Sequence, residues 1–218
     1  MSTPEFLVTG SPHAAWTLVL APGAGQDMRS TFMTAFAVGL TARGSVLGGL
    51  RVVRFDFPYM IRARESGKKT PPDREPVLLD TWRAAIAALE AAGRPRARMI
   101  IGGKSLGGRM ASLIADQQGV AGLVCLGYPF HPPGQAEQLR TAHLQALHTP
   151  ALILQGSRDP LGSREEVAEY ALAPGIRLHW LEDGDHSFKP RKDSGVTEVE
   201  NWKSAMDAII GFIGGLGR

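Results

Sequence analysis

The sequence predicts an α/β fold with a mostly parallel central sheet of about six to seven strands flanked by helices. Three observations predict it. Five short apolar runs have the composition of strands buried on both faces, as in a parallel sheet. Segments with helical apolar spacing fill the gaps between these runs. The strict alternation of the two implies right-handed strand–helix–strand crossovers.

In chain order, Glu5 to Val8 is a candidate short strand, and Thr17 to Ala21 is the first full one. Met28, Phe32, Phe36 and Leu40 recur every four residues, which places them on one helix face. Arg51 to Phe55 reads as the next strand. Arg62 to Pro76 carries Arg64, Lys68, Lys69, Arg74 and three prolines. It reads as a solvated loop, with a substrate-facing basic loop as the alternative. Trp82, Ile86 and Leu89 mark a helix before the strand Arg98 to Ile101. Leu106, Met110, Leu113 and Ile114 mark another after it. Strands follow at Gly122 to Leu126 and Ala151 to Leu154. Ser163 and Glu166 form the capping box of a helix expected to reach about Leu172. Ile176 to Leu181 alternates more and is expected nearer a sheet edge. Val199, Trp202, Met206, Ile209, Ile210 and Ile213 give the last amphipathic stripe, and these stripes all read as core packing.

At 218 residues the chain suits a single domain, 1–218, with ample length for a core. A net charge of only +3 argues against a nucleic-acid partner. One cysteine, Cys125, excludes an intramolecular disulfide framework and a multi-cysteine zinc site. It falls in a strand, where cysteine acts as a small hydrophobe. Met1 to Phe6 lack the basic-then-apolar pattern of a signal peptide. No apolar run approaches the roughly 20 residues that span a membrane. The expectation is a cytoplasmic protein without a membrane partner.

The chemistry centres on Gly103-Lys104-Ser105-Leu106-Gly107, which joins a strand to a helix. That is a G-x-S-x-G nucleophile elbow in the context it requires. The same letters end a phosphate-binding loop, but its first glycine is needed where Arg98 stands. A serine nucleophile needs a base. Of six histidines, His186 follows the last strand directly, at the sheet end where ligands bind. His131 also follows a strand, whereas His13, His143, His148 and His179 are less well placed. The base needs an orienting acid. Asp159 lies just past a strand and between Ser105 and His186 in sequence. Asp56, Asp183 and Asp185 are the competitors. For the oxyanion hole, the N–H of Leu106 is one expected donor. Ala24, in the turn Pro22-Gly23-Ala24-Gly25 after the first full strand, is the other.

Taken together, Ala21 to Gly25, Gly102 to Arg109 and Gly184 to Phe188 resemble the α/β-hydrolase superfamily over residues 16–213. More narrowly they resemble a family of small bacterial hydrolases of the KANL/Tex type, related to eukaryotic proteins of a chromatin-acetylation complex. The chain is also similar in size to the dienelactone-hydrolase branch. That branch commonly carries a cysteine nucleophile, and this chain has Ser105. The resemblance implies an α/β-hydrolase fold with Ser105, Asp159 and His186 as a triad.

Only about 24 residues, Gly127 to Pro150, separate two strands where many hydrolases insert a cap. One short helix within Gln135 to Leu147 is the most they hold, so the cap is minimal. An open site suits small esters, with Met60, Tyr128, Phe130 and His131 expected along the substrate pocket. The expected activity is hydrolysis of a small carboxylic ester or thioester, needing no metal or organic cofactor. Lys104 either tunes the serine–histidine pair or forms a salt bridge elsewhere, and Arg109 is expected to pair with an acid. Two further readings stand beside this one: a non-catalytic interaction module on the same scaffold, and a nucleotide-binding protein using Gly103-Lys104-Ser105.

Overall fold

The structure, a computed structural model, describes residues 3–217. Seven strands form one sheet: β1 (Leu7–Thr9), β2 (Trp16–Ala21), β3 (Leu50–Arg54), β4 (Met99–Lys104), β5 (Gly122–Leu126), β6 (Ala151–Gly156) and β7 (Ile176–Leu181). Their spatial order is β1-β3-β2-β4-β5-β6-β7. All pairings are parallel except the edge pair of β1 with β3. Every residue of β2, β4, β5 and β6 is buried, which accounts for their near-continuous apolar runs. β7 lies at the edge and is only half-buried, as its alternation predicts.

Two apolar layers cover the faces. On one face α1 (Thr31–Arg43) and α7 (Glu198–Leu216) pack Phe32, Phe36, Met206 and Ile209 against the strands. On the other, α3 (Glu75–Ala91) and α4 (Leu106–Ser112) contribute Trp82, Ile86 and Met110. Burying side chains of this size stabilises by about 1.5–3 kcal/mol each, so both layers hold the sheet rigid beneath its loops.

Several boundaries differ from those expected, for local reasons. Residues 62–76 are not one loop, because α2 (Pro58–Ser66) occupies the first part. Pro58 suits the first turn, and Gly67 in the left-handed conformation ends the helix. α3 then begins at Glu75, with Pro76 in its first turn. The Ser163 capping box is present, but its helix, α6 (Arg164–Ala168), stops short of Leu172. The helix after Ser105 breaks at Ser112, and Ala115–Gln118 forms a separate turn, α5. Within 135–147 only a 3-10 turn, Ala142–Ala146, forms. There Arg140 N–H bonds Phe130 O, and the Tyr128 hydroxyl donates to Arg140 O. The segment's backbone is thus spent on the neighbouring strand exit instead of a helix.

The registers Ala21↔Gly103, Lys104↔Leu126, Leu126↔Leu154 and Gly156↔Leu181 bring the ends of β2, β4, β5, β6 and β7 side by side. The loops that follow these strands therefore share one edge of the sheet.

Candidate active site

Ser105 sits between β4 and α4 with φ 47° and ψ −111°, a left-handed conformation that strains a residue with a side chain. Its N–H bonds Leu126 O at 3.0 Å and its C=O accepts from Arg109 N–H at 2.9 Å, so neighbouring strand and helix together hold the strain. The loop after β2 is pressed against this turn. A side chain at Gly23 would contact the Ser105 Cβ at 3.3 Å, and one at Gly107 would lie 2.2 Å from Ala21 O. Only glycine permits that approach. Ala24, in that loop, is exposed, and Leu106 is the first residue of α4.

His186 lies past β7 and Asp159 past β6. His186 Nδ1 meets Asp159 Oδ2 at 2.7 Å, and Asp159 is fully buried. Asp159 also accepts from Leu161 N–H through Oδ1 and from Gln155 Nε2 through Oδ2. Gln155, itself fully buried, has Nε2 shared among Tyr128 O, Asp159 Oδ2 and Gly162 O, all within hydrogen-bond distance of its two N–H groups, and accepts from Tyr128 N–H. It is the residue that ties the acid to the β5 exit.

The competing acids are each engaged elsewhere. Asp185 Oδ1 accepts from Ser187 and Lys189 N–H and so closes the His186 loop. Asp183 pairs with Arg158 and Arg191, which hold its carboxyl at about 2. Asp56 accepts from Met28 N–H and Arg64. Among the histidines, His131 lies on Pro132 O and 3.5 Å from Glu166, and His143 lies on Ser112 Oγ. His179 meets Ser204, and His148 is exposed beside Asp116. Only His186 meets a buried carboxylate among the described residues.

Lys104 precedes Ser105, yet its side chain turns to the histidine loop. Nζ donates to His186 O at 2.6 Å, lies 5.9 Å from the Phe32 ring centre, and is buried. Burial lowers its pKa to about 8, against the opposing pull of Asp159 and Asp185. The lysine reaches over Gly127, where any Cβ would come within 3.0 Å of Nζ and 2.8 Å of His186 O. Phe188 anchors the same loop from below, fully buried against Phe32 and Phe36.

A family profile described as an alpha/beta hydrolase domain matches residues 14–214.

The chain belongs to the alpha/beta hydrolase family.

Solved structures share the hydrolase fold at low identity. A serine hydrolase homologue from Coxiella burnetii is 18% identical, with 95% of this chain and 88% of that chain covered at a TM-score of 0.64. The esterase domain of a Rhodothermus marinus protein is 16% identical, with 97% and 96% covered at 0.60. A serine hydrolase without a lid from Xanthomonas campestris is 17% identical, with 97% and 86% covered at 0.58.

The expected pocket residues of this hydrolase divide. Met60 lines a cavity of about 610 Å³ beside the loop after β2, whose wall includes neither Ser105 nor His186. Tyr128 and Phe130 do not, since both are wholly buried in the core and packed on each other at 4.8 Å. They follow β5, but the chain there turns inward, with Tyr128 N–H held by Gln155. His131 is 2% exposed and turned onto Pro132 and Glu166. Arg109 pairs with Glu75 of α3 at 3.1 Å, a structural tie between helices. Cys125 is buried, and burial pushes its thiol pKa upward, away from reactivity. Sequence reasoning missed Gln155, for which only its polar character inside an apolar strand was a signal. Among the described residues, no helix is long and apolar enough to cross a membrane.

Proposed function

We propose that this protein is a serine hydrolase that cleaves a small carboxylic ester or thioester through Ser105, His186 and Asp159. The observation that carries the reading is the strained Ser105 turn beside a loop whose His186 meets buried Asp159 at 2.7 Å. Asp159 orients the imidazole with its proton on Nδ1, leaving Nε2 as the base. No hydrogen bond joins the Ser105 hydroxyl to His186 or to any other group among the described residues; in the proposed reaction that contact forms with substrate bound.

In the proposed reaction Ser105 Oγ adds to the substrate carbonyl carbon while His186 Nε2 takes its proton. The oxygen that becomes negative is held by the N–H groups of Leu106 and Ala24, each such donor being worth about 2.7–4 kcal/mol to the transition state. Collapse expels the alcohol or thiol, which receives the proton from His186. Water, deprotonated by His186, then adds to the acyl-serine and releases the acid, and Ser105 recovers its proton. None of these steps calls on a metal or organic cofactor. The 3-10 turn that takes the place of a cap leaves the site open, which supports short acyl chains. A cytoplasmic setting belongs to the same proposal and rests on composition alone.

A fluorophosphonate probe and a panel of short p-nitrophenyl esters and thioesters test it. Wild type is expected to label at Ser105 and turn over, and Ser105→Ala to do neither while melting normally. Well-folded wild type that neither labels nor hydrolyses any member of the panel would favour the interaction-module reading instead.

A further inference from the structure

Every backbone carbonyl of the loop that carries His186 accepts a hydrogen bond from within the protein. Glu182 O and Phe188 O accept from the side-chain amide of Asn201, and Ser187 O from Trp202 Nε1. Asp183 O accepts from the Arg158 Nε–H that also faces the Asp183 carboxylate, and Gly184 O from Arg158 N–H. His186 O accepts from Lys104 Nζ. Asp185 O and Lys189 O are closed within the loop, by Phe188 N–H and Asp185 N–H. Loops ordinarily leave part of their backbone to solvent and move accordingly, so a loop paired throughout is one held still.

The holding groups come from three places. Lys104 precedes Ser105, and Arg158 precedes Asp159. Asn201 and Trp202 belong to α7, which carries none of Ser105, Asp159 and His186. Asn201 is 3% exposed and stands near the start of that helix, which the Thr197 capping box fixes. Its amide has two N–H groups, and each meets one carbonyl, Glu182 O at 3.0 Å and Phe188 O at 2.9 Å. Those carbonyls lie at the two ends of the loop, on either side of His186. Next to them sit its two strained residues, Asp183 at φ 48° and Phe188 at φ 72°. A left-handed conformation at a side chain as large as phenylalanine persists only where the surroundings over-determine it.

We propose that Asn201 is a positioning residue for the hydrolase reaction, clipping the two ends of the histidine loop to α7 and so fixing where His186 Nε2 stands. It touches no reacting atom and acts through the loop backbone alone. The inference rests on the hydrolase reading and adds to it a residue outside the triad and the oxyanion loop. Without the two N–H donors, Asp183 and Phe188 relax from their left-handed conformations and the imidazole drifts from its place beside Asp159. A displacement of about 1 Å in a reacting group lowers the rate about 100-fold, because the reaction needs that group aligned. Substrate binding does not use the loop in this way, so the loss falls on kcat and leaves KM in place.

Asn201→Leu, which removes both donors, and Asn201→Ser, which keeps a single short one, test the assignment with p-nitrophenyl acetate, Ser105→Ala rates being subtracted. Ile209→Ala is the control, since Ile209 is fully buried on the same helix and packs only in the core layer. All are assayed at a temperature where each is folded. Asn201→Leu is expected to lower kcat about 10–100-fold with KM within about twofold of wild type, and Asn201→Ser to lie between. Ile209→Ala is expected to melt lower yet keep its kcat. Hydrogen exchange reads the loop without turnover: the 183–189 amides should exchange faster, relative to those of β4 and β5, in the Asn201 variants and not in Ile209→Ala. If Asn201→Leu does not fold, Asn201→Ser carries the same comparison. A folded Asn201 variant with wild-type kcat overturns the proposal and leaves the hydrolase reading standing. So does a loss carried by KM alone, a loss that Ile209→Ala matches, or unchanged loop exchange. Wild type without Ser105-dependent turnover of any ester overturns the hydrolase reading, and the role of Asn201 with it.

Discussion

Replacing Lys104 with methionine separates the lysine's cost to the fold from its service to the site. Lys104 is 3% exposed, and its pKa falls from the ordinary 10.5 to about 8. That difference corresponds to about 3 kcal/mol spent at pH 7 on keeping the ammonium charged inside the protein. Methionine has similar length and no charge, so the variant recovers most of this. It also leaves His186 O without its donor, a loss of about 1.5–3 kcal/mol for a charge-assisted bond. The two nearly cancel, and Lys104→Met is expected to unfold within about 1 kcal/mol of wild type at pH 7. Its turnover should nevertheless fall about 10–100-fold in kcat with KM little changed, because the His186 backbone is no longer tied to the residue before Ser105. The pH dependence follows from the same group. Between pH 8 and 10.5 the unfolded chain keeps the Lys104 proton and the folded one releases it. Wild type therefore gains stability relative to the variant across that window, by about 3 kcal/mol at its end. Urea unfolding from pH 7 to 10.5, alongside ester turnover, reads both. A stability difference that stays flat with pH, or a kcat within twofold of wild type, would refute the reasoning.

Two other substitutions probe the turn and the acid. Ser105→Gly relieves the positive φ, so it should abolish labelling and turnover yet raise stability by about 1 kcal/mol, read by chemical unfolding. Gln155→Leu strips one donor from Asp159 and leaves Tyr128 and Gly162 backbone groups unpaired. It is expected to cost about 3 kcal/mol of stability. Turnover of the folded fraction should fall as well, since Asp159 is then held on one side only, and equal specific activity would refute the tie.

Much of the fold is legible because it is written locally. Four strands buried throughout are near-continuous apolar runs, interrupted only by Thr17, Lys104 and Gln155, and the Ser163 capping box starts a helix where its letters stand. The elbow is legible for the same reason: Gly107 must lack a side chain because Ala21 O lies against it. What was hidden depends on where a side chain points after its strand ends. Tyr128 and Phe130 follow β5 just as Asp159 follows β6, and position alone makes them pocket residues. Their rings instead turn into the core, where burial of aromatic surface outweighs exposure at an open site. The boundaries of α2 and α6 shifted because single glycines, prolines and caps outweigh summed propensity over so few residues.

From the sequence alone came the parallel sheet, the serine turn, and the order in which a serine, an aspartate and a histidine follow separate strands. Those features need only local periodicity and short-range sterics. Four acids and six histidines competed for two places; strand position and chain order favoured Asp159 and His186, but spacing does not say where a side chain points. The tertiary structure adds long-range contacts that no spacing encodes. Asp56, Asp183 and Asp185 were taken up by Arg64, by Arg158 and Arg191, and by backbone N–H groups, while Asp159 was left facing His186. Only the fold, too, carried Lys104 across Gly127 to the carbonyl of His186.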